Sequence, residues 1–94
     1  EASGFFSTAM GLETTASGSV STAMGYETTA ESYGQTSLGI YNLPLLPGST
    51  FDFASSDQLL VVGNGASDAT RSNALTILKN GTITAPSFDI SEII

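Results

Sequence analysis

The 94-residue chain contains no cysteine and no histidine. Without thiols or imidazoles it cannot form a disulfide, a zinc site of the usual kind, a thiol nucleophile or a Ser-His-Asp triad. Only Lys79 and Arg71 are basic, against nine acidic residues, and the net charge is −7. Because phosphate backbones and anionic membrane surfaces are bound by clustered Lys and Arg, we expect no nucleic-acid partner and no direct membrane contact.

Charged residues make up 12% of the chain, about half the usual share, so Ser, Thr, Asn and Gly must cover much of its surface. Such a surface is typical of extracellular fibres. A domain of this size has a small core and no disulfide to stabilise it, so oligomerisation is the expected source of further burial. There is no signal peptide and no apolar run near the ~20 residues of a transmembrane helix. Because the chain opens inside a repeat, we interpret it as a segment of a longer protein.

A 14-residue repeat occupies the first part of the chain. Residues 2–15 and 16–29 are identical at 11 of 14 positions, and a diverged third copy spans 30–43. The period is too short for a helical solenoid, and a glycine every seven residues disfavours a coiled coil. Two short strands and two tight turns fit one repeat, which would then be one coil of a β-solenoid with coils ~4.8 Å apart. A disordered Gly/Ser/Thr-rich linker is the alternative, and the constant phase of the apolar residues argues against it.

Alternation within the repeat predicts two apolar or small faces on its first strand. Thr8 and Met10 share one face, and Ala9 lies on the other. A strand apolar on both faces is buried on both, so one face should line the coil and the other should pack on neighbouring chains. The residues predicted to pack in the core or between chains are Thr8, Ala9, Met10, Val20, Thr22, Ala23, Met24 and Leu38. The second strand, residues 13–17, is more polar and is predicted to form the solvent-exposed side of the coil.

Glycines are expected at the turns, where they tolerate positive φ. The predicted turn glycines are Gly4, Gly11, Gly18, Gly25, Gly39 and Gly81. Four other residues of the repeat region are candidates for surface contact with a glycan or protein receptor: Glu13, Tyr26, Glu27 and Tyr33. Phe5 and Phe6 occupy variable positions and are expected to cap the coil or pack between chains.

The segments Ser7-Thr8-Ala9-Met10-Gly11 and Ser21-Thr22-Ala23-Met24-Gly25 resemble the head repeats of trimeric autotransporter adhesins. The resemblance covers residues 2–42 and implies a left-handed parallel β-roll that trimerises about a central axis. Thr8 and Thr22 depart from the family pattern, which usually places Val or Ile at these positions. On this basis we expect an all-β homotrimer with β-roll repeats over residues 1–42.

Residues 43–86 are expected to form a β-rich neck or connector. Strands are predicted at 51–54 and 58–63, followed by a polar loop in which Arg71 pairs with Asp68. Asn80-Gly81 between two alternating runs is the signature of a type I′ hairpin. Parts of 61–81 are similar to a segment of repeat-bearing bacterial surface proteins and phage tail-fibre-like proteins. Residues 87–94 would begin a coiled-coil stalk or form a final strand.

Chemistry-bearing residues are scarce. Asp52, Asp57 and Asp68 could form a carboxylate pair or a calcium site, but solvated acids are the preferred interpretation. We expect no enzyme activity, no cofactor and no metal. The sequence instead favours a structural segment of a homotrimeric extracellular fibre that acts in adhesion or receptor binding by avidity. The alternatives are a fibre of a phage tail or contractile injection system, on a virion or injection particle, and, less favoured, an ice-binding β-solenoid with a threonine array.

Overall fold

A computed structural model describes residues 1–44 and 48–87, and the part of the chain that it describes is almost entirely strand, turn and loop. The predicted all-β class is confirmed. The strands are β1 Thr8–Leu12, β2 Thr15–Ala16, β3 Thr22–Tyr26, β4 Thr29–Ala30, β5 Thr36–Ile40, β6 Gln58–Asn64, β7 Asn73–Leu78 and β8 Ile83–Thr84, and one 3₁₀ turn spans Asp68–Thr70. None of the described residues belongs to a helix with the length and apolarity needed to cross a membrane.

The repeats stack as two parallel ladders. In the first ladder β1 pairs with β3 and β3 with β5, so that Thr8 lies opposite Thr22, and Thr22 opposite Thr36. In the second ladder β2 pairs with β4, and Thr15 lies opposite Thr29. Partners are therefore one 14-residue period apart, and each of the first two repeats supplies one strand to each ladder. The third repeat supplies β5 to the first ladder.

The first ladder continues beyond the repeats. Strand β6 pairs in parallel with β5, and Gly39 lies opposite Gly63, a separation of 24 residues where the repeats have 14. Strands β7 and β8 then add antiparallel neighbours, which completes a six-stranded sheet. The segment predicted as a connector thus contributes three strands to the sheet that the repeats begin.

The space between the two ladders is narrow and holds small side chains. Ala16, Ala23 and Ala30 are fully buried and form its apolar cluster, with Ala9 packed against them. Val61 of β6, in register with Ser37, is fully buried on the same inward face, and polar side chains fill the remainder; among the largest fully buried polar ones are Gln35, Asn42 and Thr28. A coil that closes every 14 residues leaves no room here for Met or Phe, so the interior alone contributes little hydrophobic stabilisation.

Buried amides close the end of this interior. The Asn42 side chain accepts a hydrogen bond from the Thr29 backbone N–H (2.7 Å) and donates one to the Thr29 carbonyl (3.0 Å). It therefore occupies the edge of β4 in place of a further strand. Gln35 Nε2 donates to Ser37 Oγ (2.8 Å) and to Gln58 Oε1 (3.2 Å). These bonds satisfy polar groups that would be costly to bury unpaired.

The turn glycines serve two different purposes. Gly11, Gly25, Gly39 and Gly81 have positive φ, as predicted. For Gly4 and Gly18 the expectation of positive φ is wrong, because neither adopts it. A Cβ placed on Gly18 would lie 2.2 Å from the Ser32 carbonyl oxygen, so glycine is needed there for close approach of the next coil.

Most of the tight corners are left-handed at residues other than glycine. We call β1, β3 and β5 the long strands of the repeats. Positive φ occurs before them at Phe6 (55°) and Val20 (60°), and after them at Glu13 (55°), Glu27 (55°) and Tyr41 (42°). Each such residue costs about 1–2 kcal/mol relative to a right-handed conformation. The ladder hydrogen bonds of the stacked coils must offset this strain.

Two local predictions for residues 43–86 need correction. The hairpin of β7 and β8 is present, but Asn80 lacks the positive φ that a type I′ turn requires. Gly81 alone is left-handed (φ 91°), and its N–H donates to the Leu78 carbonyl, which makes a three-residue loop with a glycine bulge. The strand expected at 51–54 is wrong, because these residues form bends and coil. Of the predicted stalk at 87–94, residues 88–94 lie outside the described residues.

Two Gly→Ala substitutions should separate close approach from backbone conformation. Gly18→Ala pushes a Cβ to 2.2 Å from the Ser32 carbonyl oxygen, so we expect a loss of about 3 kcal/mol in unfolding free energy, the upper end of the usual cost of overpacking. Gly34 has φ 68° and no atom within 4 Å of an added Cβ, so Gly34→Ala should cost only about 1–2 kcal/mol. Urea unfolding followed by circular dichroism measures both, and equal losses would contradict the importance of close stacking.

Candidate interaction surface

The face of the six-stranded sheet that points away from the alanine interior carries three columns of side chains, and we call it the outer face. The first column is Thr8, Thr22 and Thr36. The middle column is Met10, Met24 and Leu38, and the last column is Leu12, Tyr26 and Ile40. Beyond β5, β6 adds Leu60 and Val62 to the first two columns. The outer face therefore presents aliphatic, aromatic and threonine side chains in register.

Much of this face is exposed in the single chain. Met10 is 52% exposed and Leu12 61%, and Ile40 and Ile83 are exposed as well. The apolar surface extends onto the antiparallel strands, because Val62 lies opposite Leu75 and Ile77 opposite Ile83. Contiguous exposed apolar surface of this kind makes the outer face a candidate interaction or ligand-binding surface.

The predicted packing residues separate into the two faces. Ala9 and Ala23 point into the interior, where Ala23 is fully buried. The other packing residues of the long strands lie on the outer face: Thr8, Met10, Thr22, Met24 and Leu38. Val20 belongs to neither face, because it sits at the corner before β3, where it is 53% exposed.

Segment 48–50 covers part of the corner that precedes the long strands. The Ser19 N–H donates to the Thr50 carbonyl and the Tyr33 N–H donates to the Ser49 carbonyl, both at 2.8 Å. Around the same corner Phe5, Phe6, Phe51 and Phe53 are exposed. The corner is thus an aromatic surface built from both the repeats and the segment that follows them.

Lys79 extends this aromatic corner. Its Nζ lies 5.5 Å from the centre of the Tyr33 ring and 5.8 Å from that of Phe53, within the range of cation–π attraction. Nζ is buried and has no hydrogen-bond partner among residues 1–44 and 48–87. Burial lowers the pKa of Lys79, and the nearby Asp57 carboxylate partly opposes that shift. Tyr33, a predicted surface contact, is therefore partly engaged within its own chain.

Arg71, in the loop after β6, contacts the corner that follows the long strands, at the other end from the aromatic corner. Its Nε lies 2.9 Å from Asp68 Oδ1, which confirms the predicted pair, and its Nη2 lies 3.2 Å from Glu27 Oε2. Nη1 donates to the Glu27 and Asn42 carbonyls at 3.0 and 3.1 Å, and the guanidinium stands 5.3 Å from the Tyr41 ring centre. No sequence signal marks the contact with Glu27, because the two residues are 44 positions apart and come together only when the coils stack.

The acidic residues of this corner repel each other. Glu13 and Glu27 occupy equivalent positions in successive coils. A hydrogen bond with Glu13 raises the pKa of Glu27, burial and the charge of Glu13 raise it further, and Arg71 opposes the shift. Folding therefore favours the protonated form of Glu27 relative to the unfolded chain.

Tyr26 and Tyr41 meet beside these carboxylates. Their rings pack edge to face with centres 5.2 Å apart, and the Tyr41 hydroxyl donates to the Tyr26 hydroxyl at 3.3 Å. This hydrogen bond, with burial and nearby negative charge, raises the pKa of Tyr41 to about 12. Tyr26 itself stays partly exposed on the last column of the outer face.

The three aspartates considered as chemical candidates have separate surroundings. Asp52 is exposed, whereas Asp57 is buried and accepts a hydrogen bond from the Ser49 N–H at 2.8 Å. Asp68 pairs with Arg71. Within the described ranges no group of three or more acidic residues is placed to hold a metal ion.

A comparison of the chain with protein-family models, with curated proteins and with solved structures gives no match. Function must therefore be inferred from the geometry of the chain's own residues.

Removing one carboxylate should relieve the acidic corner. Because the pKa of Glu27 is raised, the folded chain binds a proton there more tightly than the unfolded chain, and this contribution to stability is lost as pH rises through the folded pKa. Glu13→Gln should therefore stabilise the fold at pH 7, with a gain that shrinks as pH falls towards the ordinary glutamate value of 4.5. Urea unfolding at several pH values measures this, with Glu31→Gln as the control; a gain that is independent of pH would contradict it.

The tyrosine pair gives a second pH-dependent signal. Tyr41 should ionise near pH 12, and Tyr26→Phe should return its pKa towards the ordinary value of 10.0, because phenylalanine cannot accept a hydrogen bond from the Tyr41 hydroxyl. NMR titration of the tyrosine ring carbons follows the change residue by residue. Tyr33→Phe serves as the control and should leave the Tyr41 titration unchanged. An unchanged Tyr41 titration in Tyr26→Phe would refute the assigned cause.

Proposed function

We propose that this chain is a structural segment of a homotrimeric extracellular fibre that mediates adhesion or receptor binding. In this proposal residues 1–42 form a left-handed parallel β-roll and residues 43–86 form the neck that continues it. The observation that carries the proposal is the exposed outer face, whose apolar columns have no partner within the described part of the chain.

The small interior supports association. Buried apolar area contributes about 25 cal/mol per Å², and the fully buried apolar residues, three alanines and Val61, offer little such area. The larger apolar side chains, Met10 and Leu12 among them, lie outside. A chain built in this way gains most of its remaining hydrophobic stabilisation when other chains cover those side chains.

The charge distribution favours another copy of the same chain as that cover. The chain carries a net charge of −7, so two copies repel each other wherever their acidic residues meet. The three columns contain no charged side chain, and Glu13 and Glu27 lie at the corner beyond them. Three copies can therefore meet through the outer face and keep their carboxylates outward, where the charge would hold neighbouring fibres apart.

Binding by such a fibre would depend on avidity. Three identical chains present the same weak contact three times, and linkage multiplies the overall affinity without one strong site. The receptor would be a glycan or a protein on a target surface. This use of repetition matches the scarcity of catalytic groups in the sequence.

A fibre of a phage tail or contractile injection system has the same physical requirements, and the sequence adjoining this segment in its parent protein would distinguish the two. An ice-binding surface is less well supported. The ladder of Thr15 and Thr29 ends at Asn42, and the column of Thr8, Thr22 and Thr36 adjoins the apolar middle column, so neither forms an extended threonine array.

The proposal is tested by the mass of the assembly. Native mass spectrometry and sedimentation velocity should give a trimer of the 94-residue chain at micromolar concentration. Met10→Asp should dissociate it: Met10 is half exposed in the single chain, so the substitution places a charge in the interface without disturbing a core. Thr15→Asp, on the second ladder of the same coil, is the control and should remain trimeric. A folded monomer of the unaltered chain would overturn the proposal.

A further inference from the structure

Two lines of exposed apolar side chains flank the middle column on opposite sides. On one side Phe6, 91% exposed, and Val20 stand at the corner before the long strands. On the other side stand Leu12, Tyr26 and Ile40, at or near the carboxyl ends of those strands. Both lines follow the stacking direction: the first has one residue in each of the first two coils, and the second has one in each of the three coils. We call them the corner line and the end line.

Three-fold symmetry relates these two lines. A cyclic trimer has a heterologous interface, in which one patch of a chain meets a different patch of the next. If three outer faces turn towards a common axis, the middle columns meet at the axis. Each chain then brings one flank against the opposite flank of its neighbour.

We infer that the corner line of one chain packs on the end line of the next, so that Phe6 and Val20 cover Leu12 and Tyr26 of the neighbouring copy. This inference rests on the proposed trimer and assigns its contacts. The occupant is a second copy because both lines are uncharged in a chain of net charge −7, and because both repeat with the same spacing along the stack.

Backbone strain at the corner supports the assignment. Val20 is β-branched and has φ 60°, a conformation that is unfavourable for such residues, yet its side chain is half exposed. Within a single chain this arrangement exposes an apolar group at a cost in backbone energy. Contact with a neighbouring Tyr26 would bury that group. In the third coil Gly34 occupies the equivalent position, so the contact involves the first two coils.

The lack of cysteine makes the contact directly measurable by disulfide cross-linking. Val20 precedes β3 and Tyr26 is its last residue; the six residue steps between them span up to roughly 20 Å at ~3.3 Å per residue, too far for a disulfide within one chain. The double variant Val20→Cys/Tyr26→Cys should, on mild oxidation, give covalent dimers and trimers in non-reducing gels. The pair Val20→Cys/Thr15→Cys is the control and should stay uncrosslinked.

A second variant removes the dependence on disulfide geometry. Asparagine tolerates positive φ, so Val20→Asn relieves the corner strain and should make the single chain more resistant to urea. It also removes the apolar contact, so the trimer should dissociate at concentrations about tenfold higher or more. If Val20 makes no contact with a neighbouring chain, Val20→Asn should leave the affinity of the trimer unchanged or increase it.

The outcomes separate the inference from the proposed function. Cross-linked trimers in the double variant, together with weaker association of Val20→Asn, support the inference. A trimer that shows no Val20–Tyr26 cross-link and is unaffected by Val20→Asn overturns the inference and leaves the trimer standing; in that case the exposed aromatic rings would be available for glycan binding. A monomeric parent chain overturns both.

Discussion

The close stacking of backbone on backbone at one strand spacing is the constraint on which the rest of this structure depends. A Cβ on Gly25 would lie 2.1 Å from the Gly39 carbonyl oxygen, and one on Gly11 would lie 2.0 Å from that of Gly25. At these positions the backbone conformation (φ near +116°) aims a Cβ at the next coil, so glycine has to recur there in register, whereas the other paired positions carry side chains. The short 14-residue coil in turn keeps the interior narrow, so that alanine, polar side chains and Val61 of β6 fill it.

That narrow interior determines where the larger apolar residues go. Met10, Leu12 and Ile40 stand on the outer face because they do not fit between the ladders. The tight corners of the short coil also take left-handed backbone conformations, at residues such as Val20. A single chain thus carries exposed apolar area and backbone strain at once. In the proposed assembly, trimerisation covers the exposed apolar area, and the free energy gained there compensates for the backbone strain.

The features that follow from periodicity could be predicted from the sequence. The 14-residue period places Thr8 in register with Thr22, and alternation along the strand is enough to separate Ala9 from Met10. Periodicity could not predict β6 as the next rung of the first ladder, because an insertion precedes β6 and its clearest trace of the repeat is Gly63. Nor could it reveal the contact of Arg71 with Glu27, which depends on stacking of distant segments.

The concentration dependence of thermal unfolding tests most directly whether association stabilises this fold. If association supplies the stabilisation that the alanine interior lacks, the unfolding midpoint must rise as the chain concentration is raised across roughly a hundredfold range, because mass action favours the folded assembly. We expect this rise, together with loss of secondary structure and of trimer in one transition. A midpoint that is independent of concentration would contradict it, because the single chain would then be sufficient for its own stability.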